Sequence, residues 1–199
     1  MELRDQQYRL RQLEKYLPTL QLKKAMLQTE VNNAIYEIEG LTREFMEKKK
    51  GCETFQSLLT DPSSDLIYQG AIVERTEKRY ENIAGAEIPF FETVIFQPHD
   101  YSLFASPLWV DAAMEKIKDL VVSREKIEVV KEKKKILEKE LREVSIRVNL
   151  FEKILIPRTQ ANIKKIRVFL GDQELASVAQ AKVAKGKVLK RKEKEEAFA

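Results

Sequence analysis

From Leu10 to Leu59 one set of positions recurs at alternating spacings of three and four without a slip. The set is Leu10, Leu13, Leu17, Leu20, Lys24, Leu27, Val31, Ala34, Ile38, Leu41, Phe45, Lys48, Cys52, Phe55 and Leu59, and only Lys24 and Lys48 in it are polar. A stripe that narrow, held over that length, is the seam of a coiled coil rather than the broad face of a globular helix. Such a seam needs a partner. The first question is therefore whether the same chain supplies one.

A second stripe answers it. Ser106-Pro107 is a helix-start signal, a capping hydroxyl followed by a proline in the first turn. Beyond it run Ala113, Ile117, Leu120, Arg124, Ile127, Val130, Lys134, Leu137, Leu141, Val144, Val148, Phe151 and Leu155. The spacing is a clean four-three alternation from Leu137 onward. Between Arg124 and Lys134 two successive threes occur, and Lys131-Glu132-Lys133-Lys134-Lys135 intrudes, so a local irregularity of the supercoil is expected there. Pro157 lies inside the pattern and should bend or bulge the helix near Lys153 to Pro157. Two stripes of matched length, joined by a short compact segment, suit antiparallel packing within one chain; a homodimer satisfies the same periodicity.

The expected fold class is mainly α: a long antiparallel two-helix coiled coil with a small α/β-hairpin region between the helices. Residues 1–17 read as a helical lead-in that Pro18 interrupts, since proline suits a first turn and damages a later one. The first coiled-coil helix is expected over 18–60, ended by Thr60-Asp61-Pro62-Ser63-Ser64-Asp65. The compact middle covers 61–105. In it Leu66–Tyr80 suits a short helix, and Asn82-Ile83-Ala84-Gly85 is punctuation. The β-branched and aromatic run Ile88–Phe96 reads as a strand, a turn falls at Gln97-Pro98-His99-Asp100, and Tyr101–Phe104 is a second short strand. Pro89 places the strand at a sheet edge or start. The second long helix is expected over 106–170, with Gly171-Asp172 a weak point and 171–199 a basic helical tail.

Composition narrows the function. Charged residues make up 34% of 199, the net charge is +4, and the six glycines are too few for a turn-rich α/β core. Cys52 is the only cysteine, which excludes a disulfide framework and a cysteine metal site and suits a reducing, intracellular location. No apolar run approaches the roughly 20 residues of a membrane span, and the N-terminus is charged from Glu2 onward, so a membrane link would run through a partner. His99, the only histidine, has no neighbouring nucleophile or metal cluster and reads as an exposed turn residue; Cys52 reads as a small seam residue. There is no phosphate-cradling glycine loop, and neither a catalytic group nor a cofactor or metal site is assigned. Trp109 and Phe104 are expected to pack the compact region. The basic tail, with Lys182, Lys185, Lys187, Lys190, Arg191, Lys192 and Lys194, lacks the interleaved aromatics of a nucleic-acid stacking surface, with Phe198 alone present.

Arg147-Val148-Asn149-Leu150-Phe151-Glu152, followed by Ile156-Pro157, resembles the C-terminal signature of the D subunit of the V-type and A-type ATPases (ATP synthases). Leu17-Pro18-Thr19 with Leu20-Gln21-Leu22-Lys23 is similar to that family's Pro-Thr opening and Leu-Lys repeat. Glu81-Asn82-Ile83-Ala84-Gly85 with Ile88-Pro89 looks like its segment ahead of the hairpin. The likeness spans roughly residues 17 to 187. It departs from the family at Glu30-Val31-Asn32-Asn33-Ala34-Ile35, where a basic Leu-Leu-Lys stretch is usual, and at a single Arg147 in place of a doubled arginine. These departures are similar to the bacterial branch.

The resemblance implies a non-catalytic rotor shaft, cytoplasmic and peripheral to the membrane. It implies that the end carrying both termini inserts into a head of A and B subunits. The compact middle would lie toward a funnel-shaped partner (C/d) above the proteolipid ring and would carry the small F subunit. Lys187, Lys190, Arg191 and Lys192 are the expected contacts with acidic loops of the head; no direct nucleic-acid partner is expected. A prefoldin-like coiled-coil chaperone and a nucleic-acid-binding coiled coil are the alternatives.

Overall fold

A computed structural model describes residues 1–54, 56–102 and 106–196, with the backbone alone for 192–196. The elements in order are α1 (Glu2–Glu53), a 3-10 turn (Leu58–Thr60), α2 (Ser64–Gly70), β1 (Val73–Ile83), β2 (Ala86–Phe96), α3 (Trp109–Leu150), a π-turn (Phe151–Leu155) and α4 (Ile156–Glu196). The chain divides into two compact units: Leu22–Ser145, and Met1–Gln21 with Ile146–Ala199.

In the unit Leu22–Ser145, α1 and α3 run antiparallel. Glu37 meets Lys133, Lys48 meets Ser123 and Cys52 meets the Lys116 carbonyl, so numbers fall on one helix as they rise on the other. The facing side chains Leu27, Val31 and Ala34 of α1 and Ile127, Val130, Leu137 and Val144 of α3 are buried. Each contributes up to ~1.5–3 kcal/mol by leaving water, less for the alanine. In the same unit Ile67, Val110, Ala113 and Met114 form a second cluster, against which Leu59, Leu66, Tyr101 and Trp109 pack.

The expected seam needs correcting on α3. Arg124 points to solvent with its side chain 65% exposed, and Ser123 takes the inward place. An unpaired guanidinium is costly to bury. The small Ser123 hydroxyl is satisfied, donating to the Asp119 carbonyl at 2.9 Å and accepting from Lys48 Nζ at 2.7 Å. Lys133 rather than Lys134 is the buried lysine.

The hairpin also differs from expectation. Its strands are β1 and β2, antiparallel from Val73↔Phe96 to Ile83↔Ala86, and its turn is Ala84-Gly85 rather than 97–100. The short helix ends at Gly70, and the stretch expected to continue it is a strand instead. Both central turn residues have positive φ (52° and 84°), the two-residue type I′ geometry that follows strand twist, and Asn82 Oδ1 accepts the Gly85 N–H at 2.9 Å. Pro89 is fully buried within β2, opposite Tyr80; a two-stranded sheet has only edge strands, so its missing donor is tolerated. Tyr101-Ser102 belongs to no regular element, and Phe55, Leu103, Phe104 and Phe198 lie outside the described residues. His99 is half-buried, stacked on Tyr101 at 6.0 Å, rather than exposed.

β2 lies along α3 through aromatic rings and lysine stems. Lys118, Lys126 and Lys133 hold their ammonium groups 5.5, 5.3 and 4.5 Å from the ring centroids of Phe96, Phe91 and Phe90. From β1, Thr76 donates to Glu125 and Lys78 to Glu132, at 3.2 and 2.5 Å.

In the unit holding both termini, the start of α1 lies beside the π-turn and α4. Val148, Thr159 and Ile163 are buried there, with Phe151 and Leu155 half-buried between them. α1 continues through Pro18 rather than beginning at it. Pro18 is on the exposed face, where the carbonyl it cannot serve is open to hydration, and Thr19 Oγ1 bonds the nearby Tyr16 carbonyl at 2.7 Å. The bulge expected at Lys153–Pro157 is the π-turn, in which the Ile156 N–H bonds the Phe151 carbonyl five residues back. Pro157 follows directly on the π-turn, whose wider hydrogen-bond spacing accommodates a residue without a donor. Gly171 does not interrupt α4.

These contacts set the response of stability to substitution and to pH. Ala84→Asn should stabilise the hairpin by about 0.5–1 kcal/mol, because asparagine tolerates the left-handed region better than alanine; urea unfolding checks it. Lys133 is buried, 3.0 Å from Glu37, which is itself 43% exposed. Glu37→Ala strands that cation and should cost ~1–2 kcal/mol, whereas Lys133→Met should cost less than ~1 kcal/mol or stabilise. The Lys78 ammonium is held above its ordinary 10.5 by its hydrogen bond to Glu132, with burial opposing. A raised lysine stabilises fully below that value and loses its contribution as pH rises through the folded one. Tyr101, raised by its bond to Asp111, acts in the same direction. Stability measured from about pH 9 to 11.5 should fall, and Lys78→Met should make that fall shallower.

Candidate docking surfaces

The motif residues Arg147, Asn149 and Glu152 are exposed, while Val148, between the first two, is buried. Ile156 is half-buried and Pro157 exposed. The motif therefore combines one packing residue with polar groups that face outward. Of the expected seam, Leu20, Ile38, Leu41, Phe45, Leu141 and Phe151 are half-buried, and Leu27, Val31, Leu137, Val144 and Val148 are buried. Lys24 is half-buried. Lys48 is exposed, and its ammonium donates to the buried Ser123 hydroxyl at 2.7 Å.

The tail residues Lys187, Lys190 and Arg191 are exposed on α4, as is almost every residue from Asp172 to Arg191; the Lys192 side chain lies outside the described residues. Leu175, Val178, Val183, Val188 and Leu189 are each more than half exposed there, alternating with lysines. This helix face is neither wholly apolar nor wholly charged.

Charge is unevenly shared between the two units. The unit Leu22–Ser145 has 19 Lys and Arg against 23 Asp and Glu, and the unit with both termini has 17 against 9. The net +4 is thus a difference between −4 and +8. All seven ion pairs between described side chains lie in the acidic unit. This asymmetry is readable from composition by segment, yet the whole-chain charge conceals it.

Among the described residues no group of His, Cys, Asp and Glu is placed to hold a metal, and no helix is long and apolar enough to cross a membrane. The His99 Nε2 has no hydrogen-bond partner among the described residues. Cys52 faces the Lys116 carbonyl.

The family model for the ATP synthase D subunit matches residues 2–186. The V-type ATP synthase D subunit of Chlamydia abortus is 45% identical over 189 residues, covering 94% of this chain and 91% of that protein. The protein of the same name from Chlamydia trachomatis is 42% identical over 191 residues, covering 96% and 94%. This kinship supersedes the chaperone and nucleic-acid alternatives. A paired-helix chain with a basic unit holding both termini, aligned to these relatives over nearly all of its length, belongs to the D-subunit family of the V-type ATP synthases.

Proposed function

We propose that this chain is the non-catalytic central-stalk rotor shaft of a V/A-type rotary ATPase. It couples ATP hydrolysis or synthesis in the head mechanically to ion translocation across the membrane. The observation that carries the reading is family membership over residues 2–186. The paired seams support it, because a shaft must resist bending and each seam residue withdrawn from water stiffens the pair.

In this reading the basic unit engages the A and B subunits of the head, with Lys187, Lys190, Arg191 and Lys192 meeting acidic loops. The acidic unit, with the hairpin, serves the small F subunit and the funnel-shaped partner above the proteolipid ring. The chain is then peripheral to the membrane and reaches it through partners.

Coupling requires only modest energies. A shaft whose faces differ biases each catalytic interface by its differential contact energy, and about 1.4 kcal/mol already gives a tenfold preference. One charge-assisted hydrogen bond, worth ~1.5–3 kcal/mol, suffices. A charged surface can make and break such bonds in turn, whereas a large apolar dock would hold the shaft at one angle.

Membrane vesicles lacking this chain should lose ATP-driven ion pumping and regain it when the chain is restored. Undiminished pumping without it contradicts the proposal. Replacing Lys187, Lys190, Arg191 and Lys192 together by glutamine should lower the ions moved per ATP hydrolysed; unchanged coupling and assembly would remove the tail from the head contact.

A further inference from the structure

A groove of about 670 Å³ lies in the unit that holds both termini, between the start of α1 and the π-turn with the first turns of α4. Leu13, Phe151 and Leu155 give it an apolar floor, and Tyr16, Arg9 and Arg158 stand around it. No acidic side chain among the described residues lines it. The groove has a local cause. The π-turn inserts an extra residue per turn, after which inward positions recur every four residues (Phe151, Leu155, Thr159, Ile163) instead of alternating four and three. An excess of fours unwinds a supercoil locally, so the facing helices interdigitate less closely there.

Both guanidiniums are exposed and make no ion pair among the described residues. That contrasts with the other unit, where lysines and arginines are repeatedly paired. Two unpaired arginines over an apolar floor define a ligand of mixed character. A carboxylate matches the planar guanidinium fork in bidentate fashion, and the floor takes an apolar side chain. A polyphosphate or nucleic-acid backbone would use the arginines and leave the floor empty.

We infer that this groove is the docking site for an acidic segment of a neighbouring subunit, its carboxylates held by Arg9 and Arg158 and an apolar side chain seated on Phe151 and Leu155. The inference rests on the reading that this chain works inside the ATPase assembly, and it is separate from the contact proposed for the tail. Charge complementarity carries it: this unit has 17 basic side chains against 9 acidic ones.

The test uses the whole complex, with a benzophenone amino acid in place of Tyr16, which is 55% exposed at the groove. After irradiation, mass spectrometry should find a cross-link to a peptide of another subunit that carries two or more Asp or Glu within a few residues. Arg9→Glu with Arg158→Glu should cut the cross-link at least tenfold. Reversing the partner's acids to lysine should restore it, and Arg9→Lys with Arg158→Lys should retain an intermediate yield. Circular dichroism of each variant keeps a folding defect from passing as lost docking. A cross-link to a peptide without acids, a cross-link to nucleic acid, no cross-link in a complex that contains the chain, or a yield indifferent to charge reversal each overturns the inference. If the chain is absent from the purified ATPase, the shaft reading falls with it.

Discussion

A stripe one side chain wide cannot hold a 52-residue helix in water unless another stripe is laid along it, and this constraint governs everything else in the chain. Within Leu22–Ser145 the burial of Leu27, Val31, Leu137 and Val144 supplies attraction without specifying register, since one leucine serves nearly as well as the next. Register is fixed by the polar residues in the contact. Lys48 finds the Ser123 hydroxyl, and Lys133 finds Glu37 on one side and the Phe90 ring on the other. Sliding the helices by one turn would take Glu37 away from Lys133 and leave that buried ammonium without its carboxylate. Lys133 is the point at which α1, α3 and the hairpin are tied together.

The hairpin follows from the same constraint. Two strands are marginal alone, and β1–β2 is stabilised by lying on α3. Lys126 and Lys133, at the irregular part of the second seam, are therefore not a defect in the coil. Their stems cover Phe91 and Phe90, and their charges reach ring faces or carboxylates. Within the charged run only Lys133 is buried, its stem packed and its tip paired, while Lys131, Glu132 and Lys135 stay exposed.

The periodic features are legible in the sequence because a single physical rule dictates them. The seams, the disturbance at Pro157 and the presence of a hairpin beside Ile88–Phe96 all follow from local pattern. Local pattern misleads where tertiary contacts outweigh it. Glu74-Arg75-Thr76-Glu77-Lys78-Arg79 carries charge on both faces, which hides a strand's period of two; pairing with the aromatic β2 and the Lys78–Glu132 contact decide it. Pro18 has the local signature of a boundary, but its place on the exposed face lets the helix pass. Arg124 fits the heptad count, yet burying it is costlier than shifting the inward position to Ser123. Of the candidate surfaces, the tail is visible as a lysine run. The groove is not, because it is built from residues far apart in sequence and its spacing of fours begins only at the π-turn.

The unit Leu22–Ser145 carries a net charge of −4 and holds the ion pairs seen between described side chains, while the unit with both termini carries +8. The proposed shaft role requires the chain to turn within the head. With the head fixed to a surface and a gold particle attached through a cysteine at Tyr80, which is 60% exposed on β1, adding ATP should drive unidirectional rotation of the particle. A particle that stays at one angle while the head hydrolyses ATP at its full rate would contradict the rotor claim.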